Sequence, residues 1–389
     1  MIQALAQFGM QPDGSVSRVA FSKEVRGAAK AIQKRLDEAG LVTQIDKVGS
    51  VHGFFKGSRP ELGIIAIGSH IDSVKNGGIF DGALGVAAAI ECVLKMREQG
   101  YIPRHSLEVI GFEAEEGSEL GGTLGSRAML GNVDTKAEGF EELAAKCGLT
   151  PEDILQARVD SSKYKAYLEL HIEQGDTLYQ SGALIGVVSG IVGITRYRII
   201  ANGESNHAGT TSMAGRKDAL TGMAKLLVKI DEIAKGFAKN FVCTVGTISV
   251  EPGAVNVIPG RAECILELRH MESDVIDAFI RKVKNEAAQL EKIAFSFRKI
   301  IDKSAVLCDT EIIEQTKQIC IERGIKYELL PSGAGHDANA MAAAMPSGMI
   351  FVPSKGGYSH CAEEWSEWEH CELGAKVLYD TLLALDASL

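Results

Sequence analysis

The chain has 389 residues, of which 46% are hydrophobic and 24% charged, with a formal net charge of −10. That length exceeds one ordinary hydrophobic core and predicts two domains. The composition excludes a disordered chain, and an acidic balance without a basic stripe excludes a nucleic-acid binder. No apolar run approaches the ~18–20 residues that span a bilayer, so no membrane partner is expected. Residues 1–15 lack a basic segment followed by an apolar one, which points to the cytoplasm. The eight cysteines contain no CxxC pair, and several sit in apolar runs, so reduced, buried thiols are expected.

Ser22 reads as the N-cap of a helix carrying Val25, Ala28, Ala29, Ile32 and Leu36 at helical spacing, with Gly40 as the stop. A strand is predicted over 62–67, a largely buried helix over 83–96, and further strands over 107–112 and 166–172. Short strands alternating with helices predict an α/β sheet covered on both faces. After Gly193 the rhythm changes. A strand at 194–200, a helix at 217–234, strands at 242–250 and 261–268, a helix at 274–290 and a strand starting at 294–297 give the order β-α-β-β-α-β, a ferredoxin-like unit. The α/β rhythm then resumes, with a helix at 310–323, strands at 326–330 and 349–352, and a last helix near 373–385. The fold expected is therefore a mixed-sheet α/β catalytic domain, 1–192 with 304–389, interrupted by an inserted ferredoxin-like α+β lid or dimerisation domain, 193–303.

Strands of α/β sheets present functional groups at their carboxyl ends. The first strand runs into Gly68-Ser69-His70-Ile71-Asp72, where two-residue spacing on extended backbone puts His70 and Asp72 on one face and lets a carboxylate orient a ligating imidazole. A Gly-rich loop carrying Asp81 precedes the buried helix. The next strands end in Phe112-Glu113-Ala114-Glu115-Glu116-Gly117 and Leu170-His171-Ile172-Glu173-Gln174-Gly175, and Gly357-Tyr358-Ser359-His360 follows a late strand. Each cluster alone is weak, because a histidine at a strand end is more often structural and paired glutamates are more often a solvated loop. Together, three histidines and two carboxylates suit two divalent ions with one carboxylate bridging.

These segments resemble those of the M20 metallopeptidase-like family, in its N-carbamoyl-L-amino-acid hydrolase and allantoate amidohydrolase branch. Gly77-Gly78-Ile79-Phe80-Asp81-Gly82, Asn206-His207-Ala208-Gly209-Thr210-Thr211, Val255-Asn256-Val257-Ile258-Pro259-Gly260, Gly333-Ala334-Gly335-His336-Asp337-Ala338 and Ser359-His360 extend the match along nearly the whole chain. The resemblance implies a metal-dependent amidohydrolase. His70, Asp81 and His171 would hold one ion; Asp81 would bridge to a second held by Glu116 and His360. Zinc suits such a set, as do manganese, cobalt and nickel. A water bridging the two ions would be the nucleophile, Glu115 its general base and Asp72 the partner of His70. Gln174, His207, Asn256 and Arg269 match substrate-binding positions, with His207 as an oxyanion donor and Arg269 gripping a substrate carboxylate. The implied substrate is a small ureido or amide carboxylate: an N-carbamoyl-L-amino acid or an allantoate relative. The same metals in a dipeptidase or deacylase are the rival reading; His171 argues against it, because M20 peptidases commonly carry a carboxylate there, and so does the carboxylate-binding Arg269. The family's lid histidine acts across subunits, which implies a homodimer through the inserted domain. Ser50, Ser212 and Glu267 depart from the family's usual Asn, Pro and Asp. Glu267 lies two residues from Arg269, so it bears on substrate preference.

Overall fold

The computed structural model describes residues 1–389. The chain divides into two compact units, Met1–Ser189 with Leu307–Leu389, and Gly190–Val306.

The larger unit is built on a nine-stranded mixed sheet. Four parallel strands form its centre, in the order Ser106–Phe112, Ile64–His70, Tyr164–Ile172 and Ser347–Val352. Antiparallel strands flank them, Val51–Phe55 and Val42–Ile45 on one side and Ile185–Ile191 on the other. The parallel strands are buried on both faces, so they read as apolar runs without alternation. Helix Ala83–Glu98 is buried almost all round, from Ala83 to Met96. Helix Lys23–Glu38 buries only Val25, Ala28, Ala29, Ile32 and Leu36, and Ser22 caps it by accepting the Val25 N–H at 3.2 Å.

Two sequence expectations shift. The first strand is Ile64–His70, with Leu62 in the short turn Pro60–Leu62 before it, so His70 is the last strand residue. The C-terminal helix starts five residues earlier than expected, at Trp368, and runs to Ser388. Strands Val42–Ile45, Val51–Phe55 and Ile185–Ile191 and the short helices between Leu124 and Gln156 were not legible in the sequence.

The smaller unit is a four-stranded antiparallel sheet in the order Ala294–Lys303, Gly193–Asn202, Arg261–His270, Val242–Glu251. Together with helices Ala219–Ala234 and Ser273–Ala288, this is the ferredoxin-like arrangement. Burial alternates strictly along Arg261–His270. Ala262, Cys264, Leu266 and Leu268 face the helices and pack with Met223, Leu226, Phe279 and Val283. The other face carries an ion ladder in which Glu267 accepts from Arg196 and Arg269, and Glu263 pairs with Arg198 and Arg261.

Candidate active site

Two histidines stand at the carboxyl ends of the parallel strands in rigid positions. His70 ends its strand, His171 lies one residue before the end of its strand, and both are buried. The His70 Nδ1–H donates to the Asp72 carbonyl at 3.0 Å and the His171 Nδ1–H to the Ile172 carbonyl at 2.9 Å. With both Nδ1 atoms committed, both Nε2 atoms turn inward. Each lies 3.2 Å from Asp81 Oδ1. Asp81 precedes Gly82, whose φ of +65° and lack of Cβ are both required, since a Cβ would sit 2.4 Å from His70 Nδ1.

The other oxygen of Asp81 faces a second group. His360 Nε2 lies 3.3 Å from Asp81 Oδ2 and 3.3 Å from Glu116 Oε2. Thus His70, Asp81 and His171 form one cluster of converging ligand atoms, and Asp81, Glu116 and His360 another, with Asp81 common to both. Asp81 Oδ1 and Glu116 Oε1 are buried without a hydrogen-bond partner, so each keeps an oxygen free to face a cation. Nitrogen and carboxylate donors in two clusters sharing one carboxylate fit a pair of divalent ions. Protons compete for the same positions. Burial opposes charge on His70 and His171, but the Asp81 carboxylate outweighs it and raises both. Burial together with the Asp81 charge pushes Glu116 up to about 7.

Asp72 is placed differently from the expectation. The chain leaves the strand at His70, so residues 70 and 72 do not share an extended face. It is the backbone carbonyl of Asp72 that orients the imidazole, and its carboxylate stands 3.7 Å from Nδ1. That carboxylate instead accepts the backbone N–H groups of Glu115 at 3.0 Å and Glu116 at 3.1 Å, which fixes the turn carrying both glutamates. Ala114 makes the turn at a φ of +59°. Burial pushes the Glu115 carboxyl well above its ordinary range, with Asp337, Glu116 and Asp72 adding to the effect against the pull of His70. Gln174, another non-glycine residue with positive φ, donates its amide to Asp81 Oδ2 at 2.8 Å.

His207, Asn256 and Arg269 lie in the smaller unit. His207 pairs with Val257 in a two-stranded ribbon, and the Ala208 N–H donates to the Asn256 carbonyl at 2.9 Å. The Gly209 and Thr210 N–H groups donate to His207 Nδ1 at 3.0 and 3.2 Å, so neutral His207 carries its proton on Nε2 and presents a donor there. Arg269 donates to Glu267 at 2.8 Å.

Buried groups that the sequence reading did not assign surround the centre. Glu169 accepts from Ser69 and Tyr167, His336 bonds Ser332 and stacks edge-on against His171, and Asp337 accepts from Ser126. Arg18 and Glu364 also belong here. Their only sequence signal was a charged residue in an otherwise apolar or motif-bearing stretch. All eight cysteines are free thiols, and no helix is long and apolar enough to cross a membrane.

Residues 66–384 match Peptidase family M20/M25/M40. The chain is 37% identical to the N-carbamoyl-L-amino acid amidohydrolase of Geobacillus stearothermophilus, over 99% of this chain and 97% of that protein. It is 36% identical to the allantoate amidohydrolase of Bacillus subtilis, over 99% and 96%. Among solved structures, an amidase of the hydantoinase/carbamoylase family from Burkholderia multivorans superposes with a TM-score of 0.87 at 29% identity, over 98% of this chain and 95% of that one. The chain belongs to Peptidase family M20/M25/M40, in its branch of N-carbamoyl-L-amino-acid and allantoate amidohydrolases, which hydrolyse non-peptide C–N bonds.

Proposed function

We propose that this chain hydrolyses the ureido C–N bond of an N-carbamoyl-L-amino acid or allantoate-like substrate, with Glu115 as general base. The observation that carries this reading is the double convergence on Asp81, with His70 and His171 on one oxygen and His360 and Glu116 about the other. The full-length likeness to carbamoyl-amino-acid and allantoate amidohydrolases supports the substrate class. His70, Asp81 and His171 would hold one divalent ion, and Asp81, Glu116 and His360 a second: zinc, or manganese, cobalt or nickel. Such ions supply water activation and stabilisation of developing oxyanion charge.

The chain's own groups carry the rest. Glu115, held by the Asp72 clamp on its N–H, takes a proton from the attacking water and returns it to the leaving nitrogen. His207 offers Nε2–H to the developing oxyanion, and Gln174 and Asn256 supply further polar contacts to the substrate. Arg269, aligned by Glu267, grips the substrate carboxylate. We place the protein in the cytoplasm, which the eight free thiols support. We also propose a homodimer through the inserted unit. Its edge strand Val242–Glu251 exposes Val242 and Ile248 and carries no charge before Glu251.

An ammonia-release assay tests the reading. Allantoate, N-carbamoyl-amino acids, ureidopropionate and ureidoglycolate are offered to metal-stripped protein reloaded with each ion, beside dipeptides and N-acyl amino acids. Turnover of a ureido acid is expected. Turnover confined to dipeptides or N-acyl amino acids would replace this reading with the peptidase or deacylase one.

A further inference from the structure

Glu364 is a buried carboxylate that the mechanism above does not use. Its Oε1 accepts two backbone N–H groups, from Phe80 at 3.0 Å and from Asp81 at 3.1 Å. Its Oε2 accepts the Ser359 hydroxyl at 3.1 Å, and the same hydroxyl lies 3.1 Å from Asp81 Oδ2. One side chain thus ties the loop that carries the shared ligand Asp81 to the loop that carries His360. The approach is close enough to dictate the neighbouring sequence. A Cβ on Gly78 would sit 2.1 Å from Glu364 Oε1 and 2.4 Å from its Cβ, so the second glycine of the Gly77-Gly78 pair is the clearance for this carboxylate.

The two halves of the centre differ in how they are held. His70 and His171 belong to central strands, are 1% exposed each, and have their rings fixed by backbone carbonyls. His360 belongs to a loop, its side chain is 47% exposed, and it sits at a φ of +59°, uncommon for a residue with a side chain. Glu364 lies four residues on, and its own N–H donates to the Cys361 carbonyl at 3.2 Å, closing the turn that follows His360. The bonds that hold the segment on either side of His360 therefore run through Ser359 and Glu364.

We propose that Glu364 is the positioning residue of the Glu116–His360 half of the centre, setting the affinity of that half for its ion while leaving the His70–His171 half to the sheet. The inference rests on the dinuclear reading above. Removing a carboxylate that orients a ligand lowers metal affinity by about 10- to 100-fold.

The test is a Mn²⁺ titration of metal-stripped full-length protein, read as bound ions per chain by elemental analysis after equilibrium dialysis. The wild-type chain is expected to take up two ions. Glu364→Gln keeps the shape and an acceptor for the two backbone N–H groups but loses the charge and, with an amide nitrogen in place of Oε2, can no longer accept the Ser359 hydroxyl. It is expected to keep the first ion at wild-type affinity and to bind the second about 10- to 100-fold more weakly. Ser359→Ala, which leaves Glu364 and its backbone bonds in place, is expected to weaken the same second ion by less, and it decides the matter if Glu364→Gln does not fold. Unchanged affinity for both ions in the variants, or equal loss of both, overturns the inference and leaves the dinuclear reading standing. A wild-type chain that holds fewer than two ions overturns the dinuclear reading itself.

Discussion

The Nε2 atoms of His70 and His171 face each other at 3.4 Å inside the larger unit. Two neutral imidazoles whose Nδ1 protons are already committed to carbonyls would point lone pairs at one another there, so the pair demands a proton or a cation between them. Stripping the protein with a chelator is accordingly expected to abolish turnover and lower Tm, and a divalent ion to restore both. Asp81→Asn should be the most damaging single ligand change, because Asp81 faces both halves. Full activity in protein shown to be metal-free by elemental analysis would overturn the assignment.

Glu115→Gln should keep both ions and bind substrate normally, because the Asp72 clamp acts on its backbone N–H and not on its side chain. Loss of a general base is expected to lower kcat by about 10²–10⁴-fold. A variant that instead lost metal with its residual kcat per bound ion unchanged would exchange the roles of Glu115 and Glu116.

Arg18 is only 1% exposed. It donates to the carbonyls of Ile71 and Leu5, its backbone bonds Ser73, and its charge faces Asp72 and Glu113. Arg18→Met removes the guanidinium and leaves the Ile71 and Leu5 carbonyls buried without their donor. Leaving a buried carbonyl without its donor costs about 1–3 kcal/mol, to be read from the drop in the urea midpoint at constant m-value. A loss of unfolding free energy below about 1 kcal/mol would mean that these carbonyls do not depend on this guanidinium.

His52 lies between Asp46 and Glu108, at 3.4 and 3.0 Å. Burial alone would lower its pKa, but hydrogen bonds to Asp46 and Glu108 prevail and raise it to about 9. The folded state thus holds a proton that the unfolded chain releases near pH 6.5. Stability from this site is fully present below pH 6.5 and is lost as pH rises toward 9, with a slope of up to about 1.4 kcal/mol per pH unit. Denaturation of wild type and His52→Gln across pH 6–9.5 checks this. The variant should be flatter over that window, and parallel curves would disprove the linkage.

Glu267 aligns Arg269 by accepting its Nε–H at 2.8 Å. Arg269→Lys keeps the charge but loses the planar fork, so kcat/KM for a carboxylate substrate should fall about ten- to a hundredfold. Subunit mixing tests the dimer. Inactive His207→Ala and inactive Glu115→Gln chains are expected to regain activity when exchanged into mixed dimers. No recovery in dimers shown to have exchanged would mean that His207 serves its own chain or no catalytic step.

The strand-end motifs were legible because each candidate side chain sits beside its own strand in sequence: His70, Glu115, Glu116 and His171 are all local to their elements. The alternation along Arg261–His270 was equally plain, since one face packs on helices and the other carries charges. Val51–Phe55 was not legible. It is buried on both faces, and Gly53 weakens its pattern because Leu36 packs where a Cβ would lie, at 2.8 Å. The use made of Asp72 was hidden for another reason. Sequence spacing places a residue, but whether its carbonyl or its carboxylate serves a neighbour depends on where the strand ends. Glu364 and Arg18 act across separations of 283 and 53 residues, which local patterns do not report.

The larger unit is discontinuous at Ser189 and Leu307, yet the Cys308 N–H donates to the Ser189 carbonyl at 3.2 Å. Exit and re-entry are therefore neighbours in one sheet. The 117 residues from Gly190 to Val306 replace what a tight turn would otherwise span. Loop-closure entropy grows only logarithmically with length, so such a graft costs the host sheet a few kcal/mol at most. The strands that hold His70 and His171 pair only with strands of the larger unit, so their register is set without any residue of the inserted segment.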